Sequence, residues 1–189
     1  MGDFAIGDFD LTDVAGRSVG PMAIGRDDLR RTILRVMEGN VLCSIATLTP
    51  QGTAHANTAF FAYSDGLEVF FLSHPASRHC RNLMSNPSVA LTVFSSEQRW
   101  ADPARGIQLF GTAEEASGSA AEDAERWYEG RFAGYATWKA SLSAGDLARQ
   151  YRFYRVVVST VTILDEEVLG HARFVQGTVV RVAGAPPGA

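Results

Sequence analysis

The stretch from Val41 to Ser95 most constrains how this chain can fold. Val41–Leu48 (VLCSIATL) alternates and is rich in β-branched and apolar residues, the pattern of a half-buried strand. Thr49-Pro50-Gln51-Gly52 follows, with Pro second and Gly fourth, as a type I turn prefers. Thr53–Tyr63 reads as a second strand, Ser64-Asp65-Gly66 as a hairpin turn, and Leu67–Ser73 as a third strand. A short helix runs on to Asn86-Pro87, and Ser88–Ser95 (SVALTVFS) returns as a strand. A meander with a helix between its third and fourth strands points to a small antiparallel barrel.

The flanking segments fit round that unit. Arg26–Glu38 is expected to be a helix: Leu29, Ile33, Val36 and Met37 form one apolar stripe, Asp27 or Asp28 can cap it, and Gly39-Asn40 is a stop. Gly106–Glu115 reads as a fifth strand. Gly118–Phe132 reads as a helix, with Ser119 and Glu122 spaced as a capping box and Ala121, Ala124, Trp127 and Tyr128 on its packed face. Gly134–Gln150 is more irregular, with helical pieces, and Trp100 stands in a polar loop where it can anchor packing or cover a pocket or an interface. Tyr151–Leu164 is the clearest late strand and His171–Val182 the last. Met1–Gly25 sets Phe4, Ile6, Phe9 and Leu11 among Asp and Gly without a sustained period, and is expected to be an irregular arm. Ala183–Ala189 (AGAPPGA) reads as a disordered tail. The expected domain is 26–182: mainly β, an antiparallel barrel of six or seven strands with peripheral helices.

Composition limits the function classes. A chain of 189 residues can bury a sizeable core. A net charge of −4 argues against binding nucleic acid or a membrane surface by bulk electrostatics. No stretch is long and apolar enough to span a membrane, and the acidic N-terminus does not look like a signal peptide. Cys43 and Cys80 belong to no CxxC motif, so no disulfide framework is expected and a cytoplasmic setting is the default. His74 and His79 have no carboxylate or second histidine at ligand spacing, so no metal is expected.

The candidate chemistry lies at the end of the third strand. Ser73, Ser77, the N–H groups of a helix start, Arg78 and His79 converge there, and a helix N-terminus with nearby cations is an anion site. A phosphate is the natural ligand. The alternative is structural: Ser77 or Ser73 caps a surface helix and Arg78 is solvated.

The run FFLSHPASRHCRNLMSNPSVALTVF resembles the flavin-binding segment of the pyridoxamine 5'-phosphate oxidase-like, FMN-binding split-barrel superfamily. Its matching residues are Ser73, Ser77, Arg78, His79, Asn86 and Pro87, and RGIQLFGTAEE, RWYEGRF and LGHARF are similar to a smaller branch. The resemblance covers roughly Asp28 to Val175. It implies a split barrel and an FMN cofactor. Asn57, Thr58, Ala59 and Phe60 would run beside the isoalloxazine ring, largely through backbone groups. Leu72 and Ser73 would end the adjoining strand, and Ser77, Arg78 and His79 would hold the phosphate. Trp138 would lie over a partner's flavin, and Arg173 would approach the ligand.

The chain departs from the full oxidases in three places. Asn57 stands where they carry a phosphate-binding Arg, His79 where they carry Lys, and Gly106 where they carry a flavin-contacting Gln, Gln108 being offset by two. Apart from Arg173 and Arg181 the C-terminal end is sparse in cations for a substrate phosphate, which argues against pyridoxamine phosphate oxidation itself.

The implied function is an FMN-dependent oxidoreductase acting on a small organic molecule, with the flavin at a homodimer interface and no catalytic residue assigned. The alternatives are a non-catalytic flavin-binding protein, an F420 enzyme, or a haem protein ligated by His79 or His171. On this reading Arg78→Ala weakens FMN binding more than Arg149→Ala does.

Overall fold

The computed structural model describes residues 3–20 and 24–182. Eight strands form one antiparallel sheet: β1 (Asp3–Asp13), β2 (Leu42–Leu48), β3 (Ala54–Tyr63), β4 (Glu68–Ser73), β5 (Ser88–Phe94), β6 (Arg105–Glu115), β7 (Arg152–Asp165) and β8 (Arg173–Val182). Their order is β1-β8-β7-β4-β3-β2-β5-β6, and β6 also pairs with β7. The last pairing closes a six-stranded barrel, from which β8 and β1 extend as a two-stranded wing. The expected split barrel is therefore present.

The strands form for the reason their alternation suggests. Cys43, Ile45 and Thr47 of β2, and Val89, Leu91 and Val93 of β5, face inward and are buried, while the residues between them face out. The 14-residue β7 holds the barrel together, because its first part pairs with β4 and its last part with β8, while β6 runs along its other edge. A register shift at Phe110/Gly111 leaves Ser159 as the extra residue of a bulge. A Cβ on Gly111 would sit 2.0 Å from the Val157 carbonyl oxygen, so only glycine permits this crossing.

Helix α1 (Arg26–Glu38) packs against β1, β5, β6 and β7, with Leu29, Ile33, Val36 and Met37 all buried as the stripe requires. Its N-cap is Gly25 rather than Asp27 or Asp28; the Asp28 carboxylate accepts from the Gly25 N–H at 3.1 Å. Helix α2 (Arg78–Ser85) starts at a Ser77 cap. Helix α3 (Ser119–Arg131) is preceded by Gly118 at φ 54°, and no side chain caps it. That positive φ places Ser119 inside the first turn, so the expected capping box with Glu122 does not form. Two short helices follow, α4 (Tyr135–Ser141) and α5 (Glu166–Leu169), with a 3-10 turn at Leu147–Gln150 between them.

The irregular arm expected over 1–25 is corrected: Asp3–Asp13 is a full strand paired with β8, with Phe4, Ile6 and Leu11 buried. A register shift between Ile6 and Phe9 moves the inward phase from even to odd positions. That slip breaks the period-two signal in the sequence. The tail expected at Ala183–Ala189 lies outside the described residues.

No helix among the described residues is long and apolar enough to cross a membrane. Cys43 and Cys80 are both free thiols in the interior.

Candidate functional site

The site is made by the split in the barrel. Strands β3 and β4 pair at only three positions, Phe61↔Phe71, Ala62↔Phe70 and Tyr63↔Val69. Beyond these β3 stays with β2 and β4 with β7, so the two strands diverge. The gap opens the inward side chains Asn57, Ser73 and His79 to a cleft and leaves main-chain groups of β3 facing it.

The far wall comes from α3 and α4. Phe70, Ala124, Tyr128, Tyr135 and Phe153 form a second apolar core between the sheet's outer face and these helices. The Tyr128 hydroxyl donates to the Phe60 carbonyl at 2.5 Å, and Arg131 Nη2 donates to the Met37 and Asn40 carbonyls. Burial pushes the Tyr128 phenol well above its ordinary range, so it stays a donor.

The resulting cleft has a volume of about 750 Å³. Its near wall is Asn57–Phe60 of β3, its floor Leu72, Ser73 and His79, and its far wall runs from Tyr128 through Phe132–Tyr135 to Trp138, with Tyr151 at one side. One end is polar. His79 Nε2 lies 2.7 Å from Ser73 Oγ and 3.1 Å from Ser77 Oγ, the two hydroxyls are 3.3 Å apart, and Ser77 Oγ accepts the Cys80 N–H at the helix start. The other end is aromatic, with Phe132 edge-on to Phe60 at 5.7 Å and Tyr135 beside Trp138 at 5.8 Å. Asn57 Oδ1 is buried and has no hydrogen-bond partner among the described residues.

Eight of the residues singled out in the sequence meet here: Asn57, Thr58, Ala59, Phe60, Leu72, Ser73, His79 and Trp138. Ser77 stands behind His79 as the helix cap. Arg78 does not face the cleft. It is exposed on the other side of α2, where it lines a separate hollow with Arg81 and Met84. Arg173 begins β8 opposite Asp13, and Leu164 and Phe174 pair at the end of β7 remote from Ser73. The twelve steps from Arg152 to Leu164 separate Arg173 from the cleft by about 40 Å along the strand at the usual rise. His171 is 91% exposed and paired with Glu166. Trp100 is fully exposed and covers nothing among the described residues.

Phe132–Tyr135 and Tyr151 were not legible as site residues. The one local signal is Gly134 between aromatic residues at a helix–helix joint.

His79 also carries an electrostatic signature. Its ring lies 6.4 Å from the His55 ring and 6.0 Å from the Phe71 ring. Burial, and then the neighbouring His55, hold its pKa below the ordinary 6.5. The folded state therefore binds fewer protons at this site than the unfolded chain does. The linkage makes stability complete above about pH 6.5 and progressively lost as pH falls toward the folded pKa. Urea midpoints measured from about pH 7.5 to about pH 5.5 are expected to fall more in the wild type than in His79→Gln, which keeps a hydrogen-bonding side chain without the titration. Parallel declines would show that His79 does not contribute.

A closed antiparallel barrel, split between β3 and β4 with a cleft in the split, defines the split-barrel class. The sequence profile of the pyridoxamine 5'-phosphate oxidase family matches residues 29–165, and the chain belongs to that family. Among solved structures, a heme binding protein from Mycobacterium smegmatis superposes with a TM-score of 0.63 at 19% identity, over 84% of this chain and 60% of that one. The chain thus spans less than two thirds of that protein's length. The heme storage protein HutZ from Vibrio cholerae gives 0.61 at 18% identity, over 76% of this chain and 99% of that one. A FAD-binding protein from Mesorhizobium loti gives 0.51 at 17% identity, over 76% and 91%. No curated protein sequence matches.

Proposed function

We propose that this protein is an FMN-dependent oxidoreductase that holds its flavin in the β3–β4 cleft and acts on a small organic molecule at a homodimer interface. The observation that carries the reading is the buried Asn57 Oδ1, unpartnered among the described residues, on the wall of a cleft with an aromatic end and a hydroxyl–imidazole end. An isoalloxazine ring presents an N–H edge that such an acceptor would satisfy, and leaving a buried acceptor unpaired costs about 1–3 kcal/mol. A volume of about 750 Å³ is ordinary for a cofactor site.

The residues present fit the group. Phe60, Phe132 and Trp138 would border the ring, and Ser73, Ser77 and His79 would face its polar tail. Bound flavin would supply hydride or electron transfer. The protein's own part is to orient the ring against β3 and keep water from its apolar side.

The homodimer rests on the outer face of the barrel. Ser44, Ala46, Ala56, Thr58, Ala90 and Thr92 lie on neighbouring positions of β2, β3 and β5, facing outward without a charge. Phe60 at 57% and Phe94 at 49% exposure border them. Thr58 and Phe60 belong to both this face and the cleft. A second copy packed here would bury the apolar face and roof the cleft together.

The test is the absorption spectrum after incubation with FMN and removal of the excess. Retained flavin bands are expected, with Trp138→Ala weakening retention about tenfold through the lost aromatic contact. A protein that retains no FMN but gives a Soret band with haemin overturns the reading in favour of haem, with His79 the histidine that lines the cleft. The likeness to the heme binding protein of Mycobacterium smegmatis and the heme storage protein of Vibrio cholerae makes haemin the informative competitor.

A further inference from the structure

A second chamber of about 310 Å³ adjoins the cleft. The two share Leu72, Tyr135, Trp138 and Tyr151 as lining residues. The cleft has an apolar end and a hydroxyl–imidazole end, and the one arginine on its wall, Arg131, gives its Nη2 to the Met37 and Asn40 carbonyls. The second chamber is different, because Lys139, Arg149 and Arg152 line it against the single acid Glu125.

Lys139 and Glu125 pair with each other and cancel. The arginines have no acid. Arg149 Nη1 donates to the Leu142 carbonyl at 3.0 Å, and Arg152 Nη1 to the Tyr151 carbonyl at 2.9 Å and the Arg149 carbonyl at 3.4 Å. Neither forms an ion pair among the described residues. Both side chains are exposed at the rim of the chamber, and each leans on main-chain carbonyls through Nη1 while Nε and Nη2 have no partner among the described residues. Two held arginines without a counter-ion, in a chain whose net charge is −4, do not reflect a basic background. A guanidinium fork matches a carboxylate or a phosphate in two-bond geometry.

We propose that this chamber is the anion-binding end of the ligand site, in which Arg149 and Arg152 hold the carboxylate or phosphate of a small molecule whose other end reaches the cleft past Trp138. The proposal rests on the cleft being the flavin site, and then makes the substrate an anion. The sequence points to Arg78 as the anion-holding arginine, but Arg78 faces away from both cavities while Arg149 lines one of them.

The experiment compares wild type with Arg149→Gln/Arg152→Gln by calorimetric titration with inorganic pyrophosphate, FMN and riboflavin. An Arg31→Gln/Arg126→Gln protein removes the same charge from exposed ion-paired sites and serves as control. The expected result is pyrophosphate binding to wild type and control, weakened at least about tenfold in the double variant, with FMN and riboflavin binding little changed. Loss of FMN binding with riboflavin binding intact also supports the anion site, and assigns the anion to the cofactor's phosphate instead of a substrate's. Absence of pyrophosphate binding to wild type overturns the proposal, as does equal binding by all three proteins or an equal loss in the control. The pyrophosphate arm needs no flavin, so it stays readable if FMN fails to bind.

Discussion

Phe71→Ala is expected to lower the unfolding free energy by about 3–5 kcal/mol, the cost of deleting a large buried aromatic. Phe71 is 0% exposed at the centre of β4. Its ring stacks on Tyr154 of β7 at 5.2 Å and meets the His79 ring at 6.0 Å. Its backbone is the last β4 position paired with β3 before the strands part. Removing the ring leaves a cavity that the closed barrel cannot collapse to fill, because β4 is held by β7 on its other edge. The loss also removes a support of His79, so flavin retention should weaken with stability. Urea denaturation with both barrel and helix probes checks the magnitude. Trp100→Ala, which deletes a larger ring at a fully exposed position, should change stability by less than about 0.5 kcal/mol. Similar losses in the two variants would refute the burial argument.

The second large effect concerns Asp165. Its carboxylate is 0% exposed and receives the Arg105 Nε at 3.0 Å together with Arg35. Both arginines remain partly exposed and also reach Glu167, so water and that acid can compensate them. The buried partner is the one that cannot be stranded cheaply. Arg35→Ala/Arg105→Ala is therefore expected to cost about 3–5 kcal/mol, since it leaves an unpaired charge inside. Adding Asp165→Asn should recover part of the loss, because a neutral amide is cheaper to bury than a carboxylate. A triple variant less stable than the double would show that the ion pair is not the source. The network joins α1, the start of β6 and the end of β7, so these variants should disturb the barrel's closed end more than the cleft, and FMN retention by the folded fraction should be spared.

Much of this fold is written locally in the sequence. The alternation in Val41–Leu48 and Ser88–Ser95, the turns at Gly52 and Gly66, and the stripe on Arg26–Glu38 each encode a local choice that the fold keeps. Such signals survive because side-chain period follows backbone geometry, whatever the rest of the chain does. Asp3–Asp13 shows the limit. Its apolar pairs Phe4/Ile6 and Phe9/Leu11 are each in phase, but the slip between them hides the strand until β8 supplies the register.

The candidate site divides the same way. That hydroxyls, a helix start, Arg78 and His79 adjoin one another is written in the sequence. Which of the two basic side chains turns inward is not. Neighbouring residues on a helix point about 100° apart, so the face that α2 buries against the barrel selects His79 and leaves Arg78 outside. Phe132–Tyr135 and the Arg149–Arg152 chamber come from segments with weak period, brought to the cleft by α3 and α4 packing on Phe70 and Phe153. The sequence by itself determined the strands from β2 to β8, the helices α1 to α3 and the location of the hydroxyl cluster, because these depend on residues close in the chain. The tertiary structure alone decided where the barrel splits, what roofs the split, and which cations face it, because these depend on how strands far apart in sequence diverge and pack.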